Sequence, residues 1–560
     1  VSEVISLERK PFEQRFEELK EEFQTWEPTA KDLSKFIDPE RGFFTGMQPN
    51  KGTSIDFKTL LDETPTLSAR TFGAGMQAGI NSPGRIWAKF GLPDPDMEES
   101  DPVRMWLDQV QHRMFTIMAR SNYYEMCQSN YEELGVFNTG AGLIDEDYKN
   151  VISCRPFTAG EYYLGAGPDG QIDTFARTVW FTVSQLVKKF GYDSVSSNVQ
   201  VSYDTDKTQE WLECRHVIKP NEQAIAGLKD SRNMPYISVY WEVGSPQDTF
   251  LRISGYKEFP VTVYRATVIG SNVYGTNGPG RLALGASKEL QHATKQEMLG
   301  IEKLVNPPVQ KSNEIDLVNS LPGGVSTYGG TDQQSMKPLY QVNNPYINEQ
   351  ELRIQRLQNN IKRCFYEDLF LMIAQSSDPV RTAYEISKKY EEKLIQLSPL
   401  LERVFSAKRL ELDRIFNTAN RAGLFPPPPP QLRGIELKIE FISSLAQAQK
   451  MIEMTPIEQT AAYIGSLVSV YPAVADKFNA EESVDQYASM AGVSPKIIRS
   501  DDQVAQIRKE RNDAAQKQAI LQNTMQLAQG AKTLSQTDMG GNNALNAIIN
   551  GPDAIANGGG

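Results

Sequence analysis

The strongest constraint on this chain lies between Gly280 and Leu371, where two stretches of helical spacing flank a polar, turn-rich insert. In the first stretch Leu282, Ala286, Leu290, Ala293, Ile301 and Leu304 fall near one helical face. In the second, Ile354, Leu357, Ile361, Cys364 and Leu371 keep the same periodicity. Pro307-Pro308 stops the first helix, and LPGGVSTYGGTDQQSMKPLYQVNNPY (Leu321–Tyr346) is dense in turn formers. Two helices of similar length around a compact insert predict a helical hairpin with an elaborated tip, whose apolar stripes need neighbours. Lys288, Lys295 and Lys303 are 7 and 8 residues apart and line another face of the first helix.

The first helix opens in YGTNGPGRLALGAS (Tyr274–Ser287), which contains G-x-x-x-x-G-A-S from Gly280 onward. A phosphate-binding loop has lysine where this chain has Ala286, and that lysine carries the charge that reaches the phosphates. Arg281 and Lys288 flank the position without filling it, and the preceding SNVYGTNGP is a turn-rich loop, not a buried strand. The stretch therefore predicts a loop opening a helix. A second glycine pattern, Gly165, Gly167 and Gly170, spells G-x-G-x-x-G. A dinucleotide-binding loop must follow a strand and open a helix. Here Pro168-Asp169-Gly170 is turn chemistry and the β-branched, aromatic QIDTFARTVWF follows, so a hairpin is expected. No cofactor is implied.

Length and charge narrow the function classes. The 560 residues are enough for about three or four domains' worth of material. With Lys+Arg 58 and Asp+Glu 70, the net charge is −12. A general nucleic-acid binder needs a basic face, so the chain can face DNA but not grip it broadly. Cys127, Cys154, Cys214 and Cys364 are too scattered for a CxxC zinc or redox motif, and predict reduced, partly buried thiols in a cytosolic setting. His112, His216 and His292 are isolated and read as structural. No catalytic or metal-ligating set stands out. The charged start is not a signal peptide, and the most apolar run (Ala461–Ala475) is too short and too broken by Gly465 and Pro472 to span a bilayer.

Phe12, Phe16, Leu19, Phe23 and Trp26 predict an amphipathic helix, with Pro11 in its first turn. SARTFGAGMQAGI predicts a close-packed small-residue helix, and Val103–Gly135 a long helical stretch. Residues about 140–265 carry strand character. Beyond the hairpin, SSDPV (Ser376–Val380) breaks the second helix and a third long helix runs to Gly423. Pro426–Pro430 reads as a stiff spacer. GIELKIEFI is strand-like, Thr455–Glu458 matches a capping box, and a Gln/Ala-rich helix continues from about Asp501 to Leu534. The class is thus α+β and mainly α.

Several stretches together resemble the podovirus-type head-to-tail connector, or portal, family: DETPTLSARTFGAGMQAGINSPGRIW, VRMWL, SNYY, YYLG, HVIKPNE, SVYWE, SGYKEFP, YGTNGPGRLALGASKELQ, NPP and LFPPPPPQL. The resemblance spans roughly residues 8–520 and rests on order and spacing, since no single motif is diagnostic. The chain departs from the family at Arg265-Ala266, where Arg-Trp is frequent, and at Thr382-Ala383-Tyr384-Glu385, where Thr-Ala-Thr-Glu is frequent. The resemblance implies a portal fold assembled as a dodecameric ring at one capsid vertex. It implies a channel for double-stranded DNA in transit, and no catalysis. It implies a wing over 1–279 and 382–425, stem helices over 280–305 and 347–374, and a clip over 306–346. A crown and C-terminal helices take 426–535 and a flexible tail 536–560. The tunnel loop would be Gln375, Ser376, Ser377, Asp378, Pro379, Val380 and Arg381. Gly275, Gly278 and Gly280 would form the wing–stem joint by adopting backbone angles other residues avoid. Lys288, Lys295 and Lys303 are candidates for channel-lining rings, with a solvated or salt-bridged face as the alternative. Implied partners are terminase, a tail adaptor and other tail proteins, and capsid and scaffolding proteins, with no membrane. The competing readings are a nucleotide-dependent enzyme and a scaffolding or other structural virion protein without a channel.

Overall fold

The computed structural model describes residues 8–44, 60–94, 97, 100–224, 230, 233–246, 249–305, 309–310, 337–338, 344–375, 379–432, 437–443, 445–446, 460–468, 471–480, 482–484, 504–518 and 520. Val1–Asn479 form one compact unit and Ala480–Gly560 another. In the second unit the described residues 504–518 are helical and none is buried.

The first unit begins with helices α1 (Lys10–Gln24) and α2 (Glu27–Phe36). α1 buries Phe12, Phe16, Leu19 and Phe23, as their spacing predicts, and Pro11 lies in its first turn. α3 (Thr64–Ile80) is the small-residue helix. A Cβ on its Gly73 or Gly75 would come closer than 3.0 Å to Glu132 or Phe370, so the missing side chains permit close packing. Strand β1 (Ala88–Gly91) follows. The stretch Val103–Gly135 is two helices rather than one: α4 (Asp101–Arg120) and α5 (Tyr123–Phe137). Between them Ser121 is extended, and the Asn122 side chain bonds both backbone groups of Cys154, accepting from its N–H at 2.8 Å and donating to its carbonyl at 2.5 Å. A side-chain clamp on a strand therefore sets the break, and periodicity does not register it.

The β region forms two antiparallel sheets. One has the order β3 (Val151–Phe157), β2 (Thr139–Asp147), β9 (Val261–Arg265). The other runs β4 (Tyr162–Ala166), β5 (Ile172–Thr182), β6 (Trp211–Pro220), β7 (Tyr236–Glu242), β8 (Arg252–Tyr256). The G-x-G-x-x-G stretch is the β4–β5 hairpin, with Gly170 at φ 74°. Two helices interrupt the strands, α6 (Val183–Phe190) and α7 (Ser197–Asp204). A capping box starts α6: Gln185 N–H donates to the Thr182 hydroxyl, and Thr182 N–H donates to the Gln185 side chain. α1 lays its aromatic stripe on the larger sheet, with Phe16 edge-on to Tyr163 and Trp241 at 5.5 and 6.2 Å.

α8 (Pro279–Val305) leads to the paired strands β10 (Val309–Gln310) and β11 (Lys337–Pro338). Then come α9 (Asn344–Cys364), α10 (Glu367–Gln375), α11 (Pro379–Arg421) and β12 (Lys438–Phe441), which pairs with β1. The second periodic stretch is thus broken at Phe365-Tyr366, where Tyr366 has φ 55°. The break shifts the buried face to Phe365, Leu369 and Phe370 and leaves Leu371 exposed. The proline run is not a free spacer. Trp106 Nε1 donates to the Pro426 carbonyl at 3.0 Å, and Leu432 beyond the run is buried. The Thr455–Glu458 capping box and the tail lie outside the described residues.

The core is tied by a buried ion pair. Lys408 Nζ sits 2.8 Å from Glu411 Oε2, both side chains having no exposed surface. Lys408 also donates to the Tyr123 hydroxyl at 3.1 Å and to Cys127 Sγ at 2.9 Å. Tyr123 and Tyr264 hydroxyls donate to the Glu411 carboxylate. The rings of Tyr123, Tyr131 and Tyr264 surround the ammonium at 4.9–5.4 Å. Burial works against the Lys408 charge, but Cys127, Glu411 and the tyrosines around it hold its pKa well above the ordinary lysine value. Burial pushes the Cys127 thiol up to about 11. Removing only the lysine leaves a carboxylate without its charge partner in a dry site. Lys408→Met should cost about 3–5 kcal/mol of stability. K408M/E411Q should be milder, because an amide oxygen still accepts from a tyrosine and no charge is stranded. Denaturant unfolding of the three proteins measures the difference.

His216 provides a pH signature. Burial, then repulsion from Arg177, Lys189 and Arg155, lowers its pKa well below the ordinary histidine value. It stays neutral in the fold, accepting from Arg177 Nε at Nδ1 (3.2 Å) and facing Ser238 Oγ with Nε2 (2.9 Å). Below about pH 6.5 the unfolded chain takes up a proton that the fold refuses, so this group costs about 1.4 kcal/mol per pH unit until the folded pKa is reached. Melting temperatures between pH 7.5 and 5 should fall less steeply for His216→Gln than for the unaltered chain.

Candidate functional site: the paired helices and their joint

The residues Gly275 to Ser287 settle what the glycine pattern is for. After β9 the chain makes a short bridge, Thr267 with Thr276, and enters α8 at Pro279. Gly280, Gly285, Ala286 and Ser287 are all helical, and the buried Ser287 hydroxyl donates to the Ala283 carbonyl at 2.9 Å. No loop of free N–H groups remains to cradle a phosphate.

The expected reason for Gly275, Gly278 and Gly280 needs correction. None of the three has a left-handed φ; in this segment only Asn277 does, at φ 53°. The requirement is space. A Cβ on Gly275 would come closer than 3.0 Å to the Asn138 carbonyl oxygen, one on Gly278 to the Asn138 side chain, and one on Gly280 to the carbonyl oxygens of Val136 and Gly135. The segment is pressed against the end of α5, where Asn138 at φ 62° turns the chain into β2. One backbone bond and one side-chain bond hold the contact: Ala266 N–H donates to the Asn138 carbonyl at 2.9 Å, and Gly275 N–H to the Thr139 hydroxyl at 2.8 Å. Ala266 is itself buried here. Asn138 was not singled out by the sequence reading. Its signal is the Asn-Thr-Gly that follows the α5 pattern.

α8 and α9 pack together, and both reach Asp62. The buried Gln291 accepts from Leu61 and Asp62 N–H at 2.7 and 3.0 Å and donates to the Asp62 carbonyl at 2.8 Å. Gln358 donates to the Asp62 carboxylate at 2.8 Å, and Arg353 pairs with Glu289 across the hairpin at 2.5 Å. The predicted apolar stripe splits. Leu290 and Ala293 are buried with Ala283 and Leu284, whereas Leu282, Ile301 and Leu304 are exposed. From Met298 to Val305 no residue is buried, and Met298, Leu299, Ile301, Leu304 and Val305 form an apolar end.

The three lysines do not share one environment. Lys288 Nζ pairs with Asp32 at 2.6 Å and lies over the Phe36 ring at 5.4 Å, tying α8 to α2. Lys295 and Lys303 are exposed on the outer part of α8. Of the expected tunnel loop, Gln375 closes α10, and Pro379, Val380 and Arg381 open α11, where proline suits the first turn. Ser376, Ser377 and Asp378 lie outside the described residues.

Chemistry elsewhere is sparse. Among the described residues no group of three or more His, Cys, Asp or Glu is suited to a metal ion, and no helix is long and apolar enough to cross a membrane. A cleft of about 590 Å³ gathers Asp38, Glu132 and Glu133 around Arg41, which pairs with Glu133 at 2.9 Å. Burial raises the carboxyl pKa of Asp38 and Glu133 there.

Residues 9–498 match the family model described as bacteriophage head to tail connecting protein. The chain belongs to that family. A portal protein of Salmonella phage epsilon15 is 38% identical over 558 residues, covering 98% of this chain and 100% of the relative. A probable portal protein of Bordetella phage BPP-1 is 35% identical, covering 97% of this chain and 98% of that one. Two solved structures are more distantly similar. The neck of an empty GTA particle is 10% identical, with a TM-score of 0.36, over 78% of this chain and 92% of the other. The virion of a native gene transfer agent is 9% identical, with a TM-score of 0.29, over 76% and 94%. This head-to-tail connecting chain carries its own evidence of a mainly helical α+β architecture.

The joint yields a paired expectation. Gly280→Ala should destabilise the chain by about 1–3 kcal/mol, because the contacts it would crowd are backbone oxygens. Gly285→Ala meets nothing within 4 Å and should stabilise α8 by about 0.5–1 kcal/mol. Urea midpoints of the two variants should move in opposite directions.

Proposed function

We infer that this chain is a portal protein, the head-to-tail connector through which DNA is packaged and ejected and on which terminase and tail proteins dock. Its place is the virion, at one capsid vertex. The observation that carries this reading is the end-to-end identity with the portal protein of phage epsilon15, 38% over 98% of this chain and 100% of that one. The role is mechanical, and the ATPase that drives packaging is a separate partner.

The finer reading is a ring of twelve copies around a channel for double-stranded DNA. The wing would comprise 1–279 and 382–425, the stem 280–305 and 347–374, and the clip 306–346. The tunnel loop would span 375–381, the crown 426–535, and the tail 536–560. The joint at Gly275, Gly278 and Gly280 would then be where wing meets stem. The exposed apolar end of α8 supports assembly, because Met298, Leu299, Ile301, Leu304 and Val305 are exposed among the described residues. The acidic balance fits a conduit that must let DNA slide: a mostly negative wall repels phosphates, and a few cations make transient contacts. Lys295 and Lys303 are exposed and remain candidates for such contacts, and the Asp32 pair supports a structural role for the half-buried Lys288.

Electron microscopy of the purified chain should find closed rings with a central hole; a stable monomer that binds ATP would overturn the reading. Lys295→Gln with Lys303→Gln should lower DNA packaging or retention while rings still form. Unchanged packaging would return both lysines to a solvated face. Lys288→Gln should instead reduce stability by about 1 kcal/mol or less.

A further inference from the structure

A second cleft, of about 710 Å³, opens where β3, the end of β5 and α6 meet. Arg155, Lys188 and Lys189 line it together with Trp180, Phe181 and Trp211. Behind them Arg177 is only 1% exposed, donating to His216 Nδ1 and to the Tyr240 hydroxyl and lying over the Phe157 ring at 4.9 Å. The Lys189 amine rests over Phe181, Tyr240 and Phe190 at 4.7, 5.1 and 5.3 Å. Among the described residues none of these four cations forms an ion pair, and Glu161 is the one carboxyl lining the cleft.

This is an unusual place in a chain of net charge −12. Partial burial beside the rings, then repulsion from Arg177 and Arg155, lowers Lys189 to about 8 against the opposing pull of Asp145, although the residue is exposed. Burial and Arg177 lower Arg155 as well. Burial raises the pKa of Glu161, which weakens it as a counter-charge. The capping box that starts α6 fixes Lys188 and Lys189 in its last turn. The cleft is thus a preformed, under-neutralised cationic site with aromatic walls.

We propose that this cleft receives an acidic peptide segment of a partner protein, its carboxylates on Arg155, Lys188 and Lys189 and an apolar side chain between the two tryptophans and Phe181. Three cations line the cleft, too few for a groove that tracks an extended phosphate backbone. A long polyanion would also meet the acidic remainder of the chain, whereas a short segment meets only the local cations. Guanidinium and ammonium donors on neighbouring elements suit two or three closely spaced carboxylates.

The test uses the full chain and a fluorescent Glu-Glu-Trp-Glu-Glu peptide, with labelling of lysines by an amine-reactive reagent at pH 8 read by mass spectrometry. Lys189 should label faster than the exposed Lys149, and the peptide should protect it. Affinity should fall about tenfold or more in R155A/K189A. The milder Lys189→Gln should weaken binding several-fold with an unchanged melting temperature, which guards against a folding defect in the double variant. Absence of peptide binding would overturn the proposal. So would protection of Lys189 by a single-stranded oligonucleotide but not by the peptide. Loss of self-association in Lys189→Gln would also overturn it, by assigning the cleft to contact between copies.

Discussion

An ammonium and a carboxylate placed where no water reaches them must satisfy each other completely, and the rest of the first unit is arranged around that demand. Lys408 spends its three donors on Glu411, Tyr123 and Cys127, and both Glu411 oxygens accept tyrosine hydroxyls. Both charges sit on α11, the tyrosines and thiol on α5 and β9. Tyr131 extends the network by donating to Asn81 at the end of α3. Such a pair gains little over a well-packed apolar core, because desolvation offsets most of the Coulomb attraction. Its effect is placement. Sliding α11 by one turn would strand two charges and several hydroxyls, so the long helix has one register against the β body.

That register matters because the neighbouring contact is equally intolerant. α5, whose Tyr123, Cys127 and Tyr131 surround Lys408, ends at Asn138, and the Gly275–Gly280 segment presses on that end with no room for a Cβ. Two rigid contacts at opposite ends of one helix connect the ion pair to the start of α8. Two hydrogen bonds join the segment that leads into α8 to the turn between α5 and β2: Ala266 N–H on the Asn138 carbonyl and Gly275 N–H on the Thr139 hydroxyl.

Much of this was legible in the sequence because periodicity reports burial. The α1 stripe, the β4–β5 turn and the long α8 all follow from spacing and turn chemistry. The break between α4 and α5 is set by Asn122 gripping Cys154, a partner distant in sequence, and the break after α9 falls where Tyr366 takes a positive φ. Likewise the joint glycines were legible as special but not for the right reason, since crowding by Asn138 and Val136 appears only once α5 and α8 are packed. Nothing in the sequence sets Lys408 and Glu411 apart from a surface pair at helical spacing. Their burial depends on three tyrosines contributed by two other elements.

The exposed end of α8 follows the same logic from the other direction. A helix whose inner turns bury Ala283, Leu284, Leu290 and Ala293 but whose last turns carry uncovered Met298, Leu299, Ile301, Leu304 and Val305 is only half solved as a single chain. A cluster of exposed apolar side chains is a common mark of a surface that meets another. The inner turns are fixed to α2, to the segment before α3 and to α9, by Lys288 with Asp32, Gln291 with Asp62 and Arg353 with Glu289. α8 thus has a crowded joint at its start and exposed apolar side chains over its last turns.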